Sequence, residues 1–164
     1  NRYTSPCIVD WNNDGKLDLV LGSNHKIIQV FLNTGTKKAY KFESVTELTT
    51  ASGTKIGVLV GRQQVRVVDL DSDGKKDLIT CGWNADKGGE RFFFYKNIGT
   101  AKEPKFEKSI PLKYEDGGNV TTRKTHCNAR FAIHDYNGDG VADLIFADYR
   151  DGYYNPIKIC LGVK

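Results

Sequence analysis

At 164 residues and a formal net charge of +4, the chain has room for about one domain of the usual ~100–200 residues and excludes two sizeable cores. Its 39% apolar fraction, with 17 glycines besides, excludes wholesale disorder. No apolar run approaches the ~18 residues of a membrane-crossing helix, and no basic-then-apolar leader opens the sequence. The chain contains no Met, so Asn1 is expected to lie within a longer translation product, of which this is a processed or excised piece.

In chain order, a short β-branched run at 7–9 leads into residues 10–19, DWNNDGKLDL. Residues 19–21 lead out, 27–32 form a third strand, Asn33-Thr34-Gly35-Thr36 marks a turn, and 42–48 form a fourth strand. The same order then returns. Residues 65–68 enter DLDSDGKKDL at 69–78, 78–80 leave it, 92–95 follow, Asn97-Ile98-Gly99-Thr100 marks the turn, and 106–112 close the unit. A third pass has 131–133, DYNGDGVADL at 135–144, 144–146 and 157–161, and breaks off before its outer strand. No ten-residue stretch keeps a 3.6 period, so the chain is read as all-β.

Four short antiparallel strands per repeat is the pattern of a β-propeller blade. The spacing predicts blade one at about 1–50, blade two at about 56–113 and an incomplete blade three at about 125–164, with eleven strands in all. Propellers close with ~4–8 blades, and uncovered blade edges invite aggregation. The rest of a larger chain or self-association is therefore expected to complete the ring; an independent three-sheet prism is the alternative.

Each acidic loop places oxygen-bearing side chains at positions 1, 3, 5 and 9, with glycine at 6 for a sharp turn. That spacing converges oxygens on one centre and predicts a hard cation, Ca²⁺, which takes ~6–8 oxygens in a flexible cage. The ligands of the first site are Asp10, Asn12, Asp14, Asp18 and the Lys16 carbonyl; of the second, Asp69, Asp71, Asp73, Asp77 and the Lys75 carbonyl. The third comprises Asp135, Asn137, Asp139, Asp143 and the Val141 carbonyl. An EF-hand is excluded, because its twelfth position would be Leu21, Thr80 or Phe146 and no helix flanks the loop.

These loops, with Gly61-Arg62 before the second and Asn-x-Gly-Thr followed by Pro104-Lys105-Phe106, resemble the FG-GAP repeats of integrin alpha chains and, more closely, the VCBS repeats of secreted proteins. The resemblance spans the chain and implies a calcium-binding propeller in adhesion, in glycan binding or in polysaccharide lyases. Two departures stand out. Asn at 12 and 137 lowers the ligand charge of loops one and three, and no phenylalanine–glycine element is recognisable.

The loops hold ten of the 20 acidic residues and only three of the 24 basic ones, so the remainder of the chain sets 21 basic against ten acidic side chains. A strongly basic remainder favours anionic partners, and without a nucleic-acid fold signature a uronate or sulfated glycan ranks first. Cys7, Cys81, Cys127 and Cys160 have no C-x-x-C pairing, which argues against zinc; a Cys81–Cys127 bridge and free buried thiols are both open. Loops of millimolar affinity fill only outside the cytosol, so the protein is expected to be secreted or surface-exposed, which suits the sequon Asn119-Val120-Thr121.

Strand alternation puts the calcium loops at one end of the blades. The candidate ligand-binding residues fall at the other: Arg62, Trp83, His126, Tyr149, Arg150, Tyr153 and Tyr154, with His25 and residues 123–125 nearby. Tyr and Trp offer flat faces to sugar rings, and Arg a fork to carboxylates. A non-catalytic binding module is the leading reading. The alternatives are a polysaccharide lyase, with Arg62 or Arg130 neutralising the uronate and His126, His134 or Tyr153 as base, and a purely structural or assembly role; no catalytic residue is assigned.

Overall fold

A computed structural model describes residues 4–23, 27–57, 60–83, 90–114, 117–120, 130–147, 149–150, 153–154 and 157–160. Thirteen strands and no helix occur among them. The first sheet contains β1 (Ser5–Val9), β2 (Asp18–Gly22), β3 (Gln29–Asn33) and β4 (Phe42–Glu47). The second contains β5 (Val60–Val68), β6 (Asp77–Trp83), β7 (Glu90–Tyr95) and β8 (Ile110–Pro111). The third joins β9 (Arg130–His134), β10 (Asp143–Ala147) and β13 (Lys158–Cys160), while β11 (Tyr149–Arg150) and β12 (Tyr153–Tyr154) pair as a short hairpin between β10 and β13. The two complete sheets are ordered as the chain runs, β1-β2-β3-β4 and β5-β6-β7-β8, and every strand pair is antiparallel. These are propeller-like blades, three of them, with the third lacking an outer strand among the described residues.

The middle sheet explains how the blades hold together. Successive side chains of a strand point to opposite faces, and β7 shows it: Phe92 and Phe94 pack towards sheet three, Phe93 and Tyr95 towards sheet one. In β6, Leu78 faces sheet one and Ile79 and Cys81 face sheet three. Both faces are buried, so two cores form, one between each pair of sheets. The second is built on aromatics: Phe92 meets Phe131 edge-on at 5.3 Å and Phe146 at 5.1 Å, and the Arg66 guanidinium lies 5.1 Å over the Phe131 ring. Each such side chain contributes ~1.5–3 kcal/mol on burial, so side-chain packing is enough to hold one sheet on the next.

Two features depart from the expected units. The strand expected at 106–112 shrinks to Ile110–Pro111 on the outer edge of the sheet, where Pro111 is tolerated. Phe106, buried at 1%, instead bridges Asn97 and, in parallel, Thr50, and its carbonyl accepts from the Ala51 N–H at 2.7 Å. A further repeat lies at the expected unit boundaries: 48–56 form a tight hairpin closed by Ile56 N–H to Leu48 O at 2.9 Å, and 112–114 pair with 118–120 in the same way, Val120 N–H to Leu112 O at 2.8 Å. Their apolar ends are pinned at the third strands, Leu48 N–H on the carbonyl of Ile28, just before β3, and Leu112 N–H on that of Phe92 in β7, both at 2.9 Å, and are buried in the two cores.

The Asn-x-Gly-Thr turn accounts for one glycine by space alone. A Cβ on Gly99 would lie 2.4 Å from the Glu103 carbonyl oxygen and 2.6 Å from the Lys105 nitrogen, both backbone atoms. Gly99→Ala is therefore expected to lower stability by about 1–3 kcal/mol, the range of an overpacked site, measured as a shift of the urea midpoint with an unchanged m-value.

Candidate metal centre

Three loops with one sequence frame fold with one hydrogen-bond scheme. The position-1 carboxylate accepts the N–H groups of positions 5 and 6: Asp10 from Asp14 (3.1 Å) and Gly15 (2.8 Å), Asp69 from Asp73 (3.0 Å) and Gly74 (2.9 Å), Asp135 from Asp139 (3.0 Å) and Gly140 (2.8 Å). The position-5 carboxylate accepts the N–H of position 7, from Lys16 at 2.9 Å, Lys75 at 3.0 Å and Val141 at 2.8 Å. Positions 4 and 6 both take positive φ, Asn13 and Gly15, Ser72 and Gly74, Gly138 and Gly140, so the backbone curls around the acidic side chains. Glycine at position 6 removes the Cβ penalty of that conformation.

Position 9 behaves differently. Asp18, Asp77 and Asp143 are the first residues of β2, β6 and β10, and all three are buried. One oxygen accepts the N–H of position 2, from Trp11 (2.8 Å), Leu70 (3.1 Å) and Tyr136 (2.8 Å). In the complete blades the other oxygen accepts the N–H of the turn asparagine, Asn33 at 2.8 Å and Asn97 at 2.7 Å. Those asparagines are buried too, and their side-chain oxygens accept N–H groups across the turn, from Gly35 and Lys41 and from Gly99 and Lys105. The two sequence markers run in phase because they form one hydrogen-bonded unit at one end of the blade. Asn33 and Asn97, which the sequence marks only as turn residues, are thus partners of the acidic loops.

Loop two gathers the most charge. Asp69, Asp71 and Asp77 each offer an oxygen, and the three lie within 4.8 Å of one another. Two oxygens that share one Ca²⁺ at ~2.3–2.6 Å cannot be more than about 5 Å apart, so this set fits that ion. Burial pushes the Asp77 carboxyl above the ordinary carboxylate range, and the neighbouring Asp71 and Asp73 charges add to it against the two N–H donors. Lysine ammonium groups sit on the outer carboxylates: Lys96 on Asp71, Lys75 on Asp73 at 3.1 Å and Lys16 on Asp14 at 3.3 Å. Lys75 holds the Asp73 carboxyl low; for Asp14 the Lys16 backbone N–H does most of the lowering. In loops one and three the third position is Asn12 or Asn137, whose amide nitrogen donates to Asp14 at 3.2 Å or Asp139 at 2.9 Å. A cleft of about 330 Å³ between loops two and three is lined by Leu70, Asp71, Ser72, Phe94, Gly140 and Val141.

At the far end of the strands the backbone places several of the expected ligand-binding residues. Arg62 lies in the first half of β5, and Trp83 closes β6 opposite Val60. Tyr149 pairs with Tyr154 and Arg150 with Tyr153 in the β11–β12 hairpin, which leaves the end of β10 remote from its acidic loop. His126 lies outside the described residues, as do His25 and residues 123–125. Arg130 and His134, considered as a cation and base, are the first and last residues of β9, four steps of ~3.3 Å apart, so they do not converge. Cys7, Cys81 and Cys160 form no disulfide with one another, and Cys127 lies outside the described residues.

Antiparallel four-stranded sheets stacked face to face, each with an acidic loop between its first two strands, define a β-propeller-type module. Residues 10–80, from the first acidic loop through the second, match the family model of the FG-GAP-like repeat. Loop three, beyond that match, repeats the hydrogen bonds of the first two. No curated protein and no solved structure matches the chain. No helix among the described residues is long and apolar enough to cross a membrane.

Proposed function

We propose that the chain is a calcium-stabilised extracellular binding module whose blade ends opposite the acidic loops take an anionic carbohydrate. The observation that carries this reading is the all-oxygen donor set of loop two, with three carboxylates within 4.8 Å, on a backbone scheme that loops one and three share. Asp10, Asn12, Asp14 and Asp18, Asp69, Asp71, Asp73 and Asp77, and Asp135, Asn137, Asp139 and Asp143 would hold the ions, joined by the carbonyls of Lys16, Lys75 and Val141. Ca²⁺ suits such a cage better than Mg²⁺, which demands near-ideal octahedral geometry and keeps its waters. The ion supplies positive charge where carboxylates crowd, which fixes each β1–β2-type loop to its turn. Extracellular calcium is abundant enough to fill sites of modest affinity.

The carbohydrate part rests on charge and residue type. Outside the loops, 21 basic side chains face ten acidic ones, and the strand ends remote from the acidic loops carry Arg62, Trp83, Arg150 and Tyr153. Titration of a polyuronate and of a sulfated glycan at two ionic strengths tests it. Trp83→Ala and Tyr153→Ala are expected to lose roughly tenfold in affinity, ~1.4 kcal/mol, at both salt concentrations, because stacking is largely unscreened. Arg62→Ala and Arg150→Ala are expected mainly to flatten the salt dependence, since exposed charges are screened over ~8 Å at physiological ionic strength. If all four variants bind as the parent does, the site is elsewhere.

A further inference from the structure

The three acidic loops share one hydrogen-bond scheme, so a place where one blade departs from the others stands out. At position 3, loop two has Asp71 where loops one and three have Asn12 and Asn137. A second departure accompanies it. Lys96 precedes the turn residue Asn97 and follows Tyr95, the cross-strand partner of Leu78. In blade one the same place, before Asn33 and after Phe31, the partner of Leu19, belongs to Leu32. In blade three the residue after Cys160, the partner of Leu144, is Leu161, which lies outside the described residues and is compared by sequence alone. An aspartate at position 3 thus goes with a lysine before the turn, and an asparagine goes, twice, with a leucine.

The two departures of blade two meet in space. The Lys96 ammonium donates to the Asp71 carboxylate across 25 residues of sequence, and both side chains are partly open to solvent. Asp71 above all, with the Asp73 and Asp77 charges beyond it, raises the Lys96 ammonium above the ordinary lysine range. Asp71 is also one of the three carboxylates that lie within 4.8 Å of one another. Loops one and three have no such charge at position 3. There the asparagine amide donates to the position-5 carboxylate, Asn12 to Asp14 at 3.2 Å and Asn137 to Asp139 at 2.9 Å.

We infer that Lys96 is a built-in competitor for the cation of loop two, its ammonium drawing on the same Asp71 carboxylate that the ion would use. The inference rests on the calcium reading of the loops. An exposed pair is weakly held, so an ion can displace the lysine, yet it must do so each time it binds. The fourth aspartate of loop two therefore adds less to calcium affinity than its charge alone implies, and the lysine sets how much less. Blade one reaches a similar balance with neither group.

The test is a calcium titration of the full chain followed by ¹⁵N NMR at Gly15, Gly74 and Gly140. Their N–H groups donate to Asp10, Asp69 and Asp135, so each reads its own loop. Lys96→Leu, which makes blade two like blade one at this place, is expected to lower the calcium midpoint at Gly74 about tenfold and to leave those at Gly15 and Gly140 unchanged. Lys96→Gln, which keeps the side chain long and polar, is expected to do the same. Asp71→Asn is expected to raise the Gly74 midpoint about threefold in the parent but about thirtyfold in the Lys96→Leu background, where the carboxylate serves the ion alone. A Gly74 midpoint that both Lys96 variants leave unchanged or raise would overturn the inference. So would an equal effect of Asp71→Asn in the two backgrounds. In either case responses at Gly15 and Gly140 in the same samples keep the calcium reading intact, whereas silence of all three glycines in the parent overturns that reading and the inference with it.

Discussion

Chelation with EDTA is expected to lower the melting temperature by about 5–10 °C for each calcium site emptied. A ligand at 100 times its Kd adds ~2.7 kcal/mol per site, and a chain of this size moves ~2–4 °C per kcal/mol. The lysines beside the loops do not replace that contribution. Lys75 on Asp73 and Lys96 on Asp71 are surface pairs, screened by solvent, and such pairs add little to stability. Calorimetry in calcium, in magnesium and in EDTA, with elemental analysis of the purified protein, decides it. An unchanged melting curve in EDTA together with no bound calcium would remove the ion from the account of this fold, while magnesium restoring the full transition would reassign the cation.

The acidic loops and the strands beside them were legible in sequence because both signals are local. Oxygen side chains at alternate positions, a glycine at 6 and a following Leu-Val or Leu-Ile are covalent neighbours. The hydrogen bonds that shape the loop, such as Gly74 N–H to Asp69 at 2.9 Å, span five residues. What was illegible depends on contacts between distant segments. Asn97 reads as a turn residue, yet its N–H reaches back 20 positions to Asp77. The segments 48–56 and 112–120 share little more in sequence than an apolar residue at each end and a glycine, and the likeness becomes visible only through the bonds of Leu48 to Ile28 and of Leu112 to Phe92. The fourth strand of blade two was overread for the same reason: the pattern at 106–112 suits a strand, but Phe106 is drawn into the core beside Trp11, 6.2 Å between ring centroids. The far-end residues Arg62, Trp83, Tyr149, Arg150, Tyr153 and Tyr154 were placed on strand ends by alternation alone, and alternation says nothing about how six side chains meet.

Asp77→Ala is expected to cost about 2–6 kcal/mol even in EDTA, and this separates the ninth loop position from the ion-binding ones. The substitution leaves two N–H groups without an acceptor, Leu70 at 3.1 Å and Asn97 at 2.7 Å, at ~1–3 kcal/mol each when buried. An opposing effect exists. The Asp77 carboxyl is raised by burial, so its charge costs stability at neutral pH, a cost that disappears as pH falls through the raised value to the ordinary carboxylate range. Asp77→Asn sheds that charge and keeps one oxygen acceptor, so in EDTA it is expected to lose less than Asp77→Ala. Asp71→Asn installs the residue that loops one and three carry at the same position. Without calcium it is expected to stay within about 0.5 kcal/mol of the parent, as an exposed substitution does. In calcium the order of the milder pair changes meaning: Asp71→Asn and Asp77→Asn both lose ligand charge, and both are expected to lose part of the calcium-dependent stabilisation. Urea denaturation of the three variants with and without calcium gives the comparison. Equal losses for Asp71→Asn in the two buffers would show that the position-3 carboxylate does nothing for an ion, and a neutral Asp77→Ala would show that the turn asparagine does not depend on the loop.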